Sequence, residues 1–166
     1  NAQCWLTVSA GGNHTLAIKA DGSLWGWGDN NFYQSGGNAQ TEKLVPSRIG
    51  SGKDWKAVAA GYGFSLALKK DGTLWAWGIN GYGELGLGVS PVGLPISAIA
   101  PTQVGNSSDW AEIAVGDQFS LALKTDGTIW IWGNEFDIRK DGSLKGINTV
   151  PAMADPANHW AAIAAG

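Results

Sequence analysis

Two histidines, one cysteine and a recurring Asp-Gly pair are the residues of this chain with the most evident capacity for chemistry. Cys4 would be a nucleophile only with a base beside it, and no histidine shares its place in the sequence pattern. A single cysteine also excludes an internal disulfide framework or a multi-cysteine zinc site. His14 sits in a short turn motif and His159 precedes a tryptophan in a linker, so both read as structural residues. Asp21, Asp71 and Asp126 look like a set of carboxylates, but each precedes a glycine and reads as a turn residue. The glycine-rich stretch Gly81 to Gly88 is not followed by Lys-Ser or Lys-Thr, so it is no phosphate loop. Asp137 to Asp141 offers too few oxygen ligands at the right spacing for calcium. No catalytic constellation, metal site or cofactor site emerges, and the chain is expected not to be an enzyme.

Composition narrows the classes further. Of 166 residues, 44% are hydrophobic, which is too many for a disordered chain, and no apolar run is long enough for a membrane-spanning helix. A net charge of -3 without a Lys/Arg cluster argues against a nucleic-acid partner. The first residue is Asn1 rather than Met, and the chain is expected to be a processed or excised piece of a longer product.

The elements that position these residues come from an internal repeat. Trp5, Trp55, Trp110 and Trp160 recur at intervals of 50 to 55 residues, each followed by a glycine: Gly11, Gly61, Gly116 and Gly166. Within the first three copies come the Asp-Gly pairs and then a Trp-x-Trp-Gly run, at Trp25 to Gly28, Trp75 to Gly78 and Trp130 to Gly133. All 10 tryptophans occupy three recurring positions, which marks them as repeated packing elements rather than a ligand platform. The repeats run 5–54, 55–109 and 110–159, with the start of a fourth at 160–166.

Each repeat divides into short runs alternating with period two, the signature of strands. The middle copy predicts strands at Trp55 to Ala60, Phe64 to Lys70 and Thr73 to Trp77, with a fourth near Ala98 to Val104. Asp71-Gly72 predicts a two-residue hairpin, which would place Lys70 opposite Thr73, Leu68 opposite Trp75 and Leu66 opposite Trp77. Both faces of such a sheet are mostly apolar, so each needs a cover, and the natural cover is the next sheet. The expected fold is all-β: three propeller blades of four antiparallel strands, stacked head to tail around an axis.

The stretches AGGNHTLAIKADGSLWGWG, AGYGFSLALKKDGTLWAWG and VGDQFSLALKTDGTIWIWG resemble the regulator-of-chromosome-condensation repeat family. That family's Asn-x-x-Gly-Gln-Leu-Gly loop is nearly intact at Asn80 to Leu87, with Glu84 for glutamine, is altered at Asn30 to Gly36, and is absent from NEFDIRKDGSLKG. The family histidine is present as His14 and replaced by Phe64 and Phe119. The resemblance implies a propeller that commonly has seven blades, whereas this chain supplies three. An open arc leaves its two end faces uncovered, so the ends are expected to join in a homodimer or to belong to a larger ring.

Propellers act through loops at their ring faces. The turn between strands one and two shares a face with the loop between strands three and four. That face gathers Phe32, Tyr33, Tyr62, Tyr82, Glu84, Asp117, Phe136 and Arg139, the candidate partner-binding residues. Aromatics and arginine are what protein interfaces enrich. The expected function is a non-enzymatic scaffold for a protein partner. The resemblance implies two alternatives: nucleotide exchange on a small GTPase, and inhibition of a secreted bacterial enzyme such as a β-lactamase. The short regular repeats favour a bacterial, secreted or cell-surface setting. Ultraviolet sensing, found in a plant photoreceptor of this fold, uses tryptophans in a Gly-Trp-Arg-His-Thr turn; here those positions hold Gly12-Asn13, Tyr62-Gly63 and Asp117-Gln118. A sugar-binding surface of tryptophans would require the tryptophans to be exposed.

Overall fold

A computed structural model describes residues 4–88, 97–134, 147–155 and 159–165. Its strands form three four-stranded antiparallel meanders in chain order. The first comprises β1 (Trp5–Ala10), β2 (His14–Lys19), β3 (Leu24–Gly28) and β4 (Lys43–Arg48). The second comprises β5 (Trp55–Ala60), β6 (Phe64–Lys69), β7 (Leu74–Gly78) and β8 (Ala98–Gln103). The third comprises β9 (Trp110–Val115), β10 (Phe119–Lys124), β11 (Ile129–Gly133) and β12 (Asn148–Asp155). No helix occurs among the described residues, and the all-β blade architecture expected from the repeats is what the chain adopts.

The hairpin register differs from the expected one by one residue. Ala67 lies opposite Trp75, Ser65 opposite Trp77 and Leu66 opposite Ala76. The connection is a three-residue loop: the Lys69 amide donates to the Thr73 carbonyl and the Gly72 amide donates to the Lys69 carbonyl. Only the glycine of each Asp-Gly pair takes positive φ, at 80° for Gly22 and Gly72 and 83° for Gly127. A type I turn closed by a glycine bulge therefore replaces the two-residue turn. A slip of one residue exchanges the faces. Leucines and tryptophans consequently stand on opposite sides of each blade. Alanine and serine lie across from the tryptophans and leave room for their rings.

This exchange sets how the blades stack. Leu16, Ile18, Leu24 and Ile49 of blade one bury Trp55, Ala67 and Trp77 of blade two. Phe64, Leu66, Leu68, Leu74 and Ala76 of blade two bury Trp110, Ala122 and Trp132 of blade three in the same way. Trp77 and Trp132 are fully buried, and each ring removed from water contributes up to ~4–6 kcal/mol of hydrophobic stabilisation. A pair of hydrogen bonds clasps each joint. Trp77 Nε1 and Ser65 Oγ both donate to the Gln34 carbonyl, at 2.9 and 2.7 Å. Trp132 Nε1 and Ser120 Oγ both donate to the Glu84 carbonyl, each at 2.7 Å.

The Asp-Gly turns also form joints. The Trp55 amide donates to the Gly22 carbonyl and the Trp110 amide to the Gly72 carbonyl. A Cβ on Gly22 would collide with the Lys53 carbonyl, and one on Gly72 with that of Ser108. The three aspartates are occupied here. Asp71 Oδ1 accepts from the Thr73 amide and hydroxyl, and the same hydroxyl accepts from Trp75 Nε1. Asp21 with Ser23 and Asp126 with Thr128 repeat this motif. Beside it a lysine lies over two tryptophans, as Lys69 Nζ does at 5.1 Å from Trp55 and 4.5 Å from Trp75.

First strands line the axis, where the Ala60 amide donates to Ser9 Oγ. Fourth strands form the outer rim, with Leu44 83% exposed. Pro46, Pro101 and Pro151 lie in these rim strands, which also carry register irregularities that discourage edge pairing. The arc is open. Trp5 is 41% exposed, whereas its equivalents Trp55 and Trp110 are at 5% and 4%. At the other end the Trp160 amide donates to the Gly127 carbonyl, repeating the inner joints. Residues 160–165 form no strand.

Candidate functional site

The loop face is built by one recurring contact. The residue after each Trp-x-Trp-Gly run donates its amide to the preceding turn: Asp29 to Asn13, Ile79 to Gly63 and Asn134 to Gln118. Turns and loops of a blade are thereby tied to one face, as the strand order requires.

Each long loop is then pinned from below. Buried Asn30 accepts from the Ser35 amide at 3.0 Å and donates to the Ala39 carbonyl. Asn80 repeats this with the Leu85 amide and the Gly88 carbonyl. Gln34 Oε1 accepts from the Phe32 amide, and its Nε2 donates to Asp29 Oδ2 at 2.9 Å. In loop two, Glu84 Oε2 accepts from the Tyr82 amide at 2.8 Å. Glu84 is buried beneath its own loop, and burial pushes its carboxyl above the ordinary value. Its backbone is also the acceptor that holds blade three.

The pinned loops present aromatic rings. Phe32 is 39% exposed, Tyr82 41% and Tyr62 59%. Phe32 also leans on the neighbouring turn, since a Cβ on Gly63 would stand 3.3 Å from its Cδ2. Tyr33 is half-buried and holds φ at 65°, where loop two has Gly83 at 81°. Asp117 is exposed on the third turn. Phe32, Tyr62, Tyr82 and Asp117 thus share the accessible face, while Glu84 lies below it. Phe136 and Arg139 lie outside the described residues.

The face has no reactive centre among the described residues. His14 is buried, and desolvation lowers its pKa to about 4 against the smaller opposing pull of Asp29. Its Nε2 lies 2.9 Å from Ser65 Oγ, which donates onward to the Gln34 carbonyl, so the imidazole braces the joint between blades one and two. Cys4 is exposed and far from that dyad in the blade, at the start of β1. No group of three His, Cys, Asp or Glu side chains converges as a metal site among the described residues.

Several residues that build this face carry no chemical motif of their own. Asn30, Ser65 and Ser120 are legible only as recurrences at equivalent repeat positions. The glycines Gly11, Gly61 and Gly116 belong with them. Phe64 and Phe119 press so closely on Gly61 and Gly116 that a Cβ would overlap their rings.

Two sequence profiles of the "Regulator of chromosome condensation (RCC1) repeat" match, one over residues 6–34, 55–84 and 110–137 and the other over 21–68 and 71–123. The Ultraviolet-B receptor UVR8 of Arabidopsis thaliana is 33% identical over 132 residues, covering 78% of this chain and 29% of the receptor. The mitochondrial RCC1 domain-containing protein RUG3 of Arabidopsis thaliana is 33% identical over 138 residues, covering 80% of this chain and 30% of that protein. Yeast RCC1 (Prp20), in a crystal structure with Kap60 bound to it, superposes with a TM-score of 0.82 at 23% identity, over 100% of this chain and 40% of its own. Human WBSCR16 superposes with a TM-score of 0.76 at 23% identity, over 91% of this chain and 39% of its own. The chain therefore spans about a third of the length of the curated relatives it matches.

Proposed function

The chain belongs to the regulator-of-chromosome-condensation (RCC1) repeat family, and on that premise we propose that it is a non-enzymatic scaffold that binds a protein partner through its loop face. One observation carries this reading. Phe32 and Tyr82 have their backbone amides fixed by Gln34 and Glu84 while their rings stand in solvent. Exposed aromatics on a pre-ordered backbone lose little entropy on binding, which is the character of interface anchors. Among relatives, yeast RCC1 is bound by Kap60, and the study of Prp20p from Saccharomyces cerevisiae concerns its binding to Gsp1p and histones. Those partners suggest the class of ligand, a folded protein or a protein segment.

Capture from native lysate by the wild-type chain, followed by exchange of Phe32, Tyr62 and Tyr82 for alanine, tests the proposal. A captured protein should be lost from the triple variant and retained by a control variant on the opposite face, such as Lys70→Ala. Equal capture by the triple variant would move the interface elsewhere.

A second reading, self-association into a homodimer, is favoured by the bare tryptophan side of blade one. Trp27 and Thr15 are half-buried where their equivalents Trp77 and Ser65 are fully buried against a neighbouring blade. Sedimentation over a range of concentrations tests it; a stable monomer throughout would remove it.

A further inference from the structure

We propose that the cavity on the loop face where the turns between first and second strands converge is a binding site for a single cationic side chain, an arginine or lysine presented by a protein partner. The inference rests on the loop face being the partner-binding face and specifies what the partner inserts there.

A cavity of about 330 Å³ opens where the turns between first and second strands converge. This is near the lower end for ligand pockets and suits one side chain better than a large organic molecule. Its floor is made of small residues, among them Ala10, Gly12, Gly61 and Gly116. Packing enforces the bareness of this floor. A Cβ on Gly11 would meet the Gly61 carbonyl, and Gly61 and Gly116 lie under the rings of Phe64 and Phe119.

Two larger side chains stand over the floor, Tyr62 and Asp117. The Tyr62 ring lies across Gly12, with Cδ2 2.9 Å from where a Cβ would be, and is 59% exposed. Neither the Tyr62 hydroxyl nor the Asp117 carboxylate has a hydrogen-bond or ionic partner among the described residues. An aromatic face and a free carboxylate at one opening are the two groups that attract a cation, the first through the ring quadrupole and the second by a charge-assisted hydrogen bond.

The surrounding charge has the same sense. No lysine or arginine lines the cavity. Asp29 adds a second carboxylate to the loop face, and Lys43 is engaged by the carbonyls of Ser35 and Gly36. The chain as a whole carries -3. An anionic ligand would meet repulsion here, and a neutral apolar one would leave Asp117 uncompensated on desolvation.

The test is a titration of the full chain with the tripeptide acetyl-Gly-Arg-Gly-amide, followed by amide NMR. Its counterpart carries citrulline, which has nearly the same shape and no charge. Saturable shifts are expected at Gly61, Tyr62, Gly116 and Asp117, with affinity about tenfold weaker for the citrulline peptide. Asp117→Asn and Tyr62→Ala should each weaken arginine binding severalfold, and Asp117→Asn should do so with the melting temperature unchanged. Equal titration by both peptides, or no saturable shift at the axial turns, would overturn the proposal. If arginine binds while no protein is captured by the loop face, the scaffold reading fails, and the cavity stands as a cation site without the protein that was to present the side chain. If capture depends on Phe32 and Tyr82 but the arginine peptide is silent, only this site fails.

Discussion

Replacing Glu84 by glutamine should stabilise the protein at neutral pH and do little at acidic pH. The side chain is 2% exposed, and the structure supplies its carboxylate with the Tyr82 amide. Blade one shows the neutral solution at the same position: Gln34 accepts from the Phe32 amide and donates to Asp29. In blade two the residue equivalent to Asp29 is Ile79, so a glutamine there lacks the carboxylate that accepts from Gln34 Nε2, and its gain comes from removing the buried charge alone. Burial raises the Glu84 pKa above its ordinary 4.5. A carboxyl raised in the folded state holds its proton more tightly there than in the unfolded chain. Its contribution is therefore fully present below the ordinary value and is lost as pH rises through the folded one. Leaving a buried polar group under-compensated costs about 1–3 kcal/mol. Taking about 1–2 kcal/mol for a site at a loop, and roughly 2–4 °C per kcal/mol at this chain length, Glu84→Gln should raise the melting temperature by about 2–8 °C at pH 7. Calorimetric scans at pH 7 and pH 4 would read both arms. The Trp132 indole N–H resonance reports the joint directly, because that indole donates to the Glu84 carbonyl. A fall in melting temperature at pH 7 that disappears at pH 4 would refute the reasoning, since the carboxylate would then be stabilising the loop in its charged form.

Three further outcomes follow from the same geometry. Trp77→Phe removes a fully buried indole and its bond to the Gln34 carbonyl and should cost about 2–4 kcal/mol by chemical denaturation, whereas Trp27→Phe at the open end should cost under ~1 kcal/mol. Equal costs would mean that blade stacking does not distinguish the two sites. Tyr33→Gly relieves a tyrosine held at φ 65° and should raise stability by about 0.5–1 kcal/mol; a loss larger than that would show that the ring contributes packing which outweighs the strain. Asp21 should titrate near 2 by carbon-detected NMR because the Ser23 hydroxyl and amide both bond its carboxylate, and Ser23→Ala, which removes the hydroxyl and keeps the amide, should move it part of the way back toward 3.8. A value unmoved by that exchange would place the cause in the amide of residue 23 and in Lys53, whose ammonium lies 3.2 Å away.

Blade number, strand order and the face carrying the long loops were readable in the amino-acid order. They depend on local alternation and on spacings between tryptophan, Asp-Gly and Trp-x-Trp-Gly that recur in each copy. The hairpin register was not readable. Asp71-Gly72 is compatible with a two-residue turn and with a three-residue turn closed by a glycine bulge, and the two differ by one residue. What selects the second is contact with other blades: the Gly72 carbonyl receives the Trp110 amide, and the leucine side must lie on the next blade's tryptophans. The candidate site divides in the same way. Exposed rings at Phe32, Tyr62 and Tyr82 were expected from loop positions, because loops between short strands have little room to bury a large ring. The burial of Glu84 under its loop, and the meeting of Tyr62 and Asp117 over a floor of glycines, were decided only in three dimensions. Residues from blades two and three, more than fifty positions apart, come to line one cavity only when the sheets stack around a common axis.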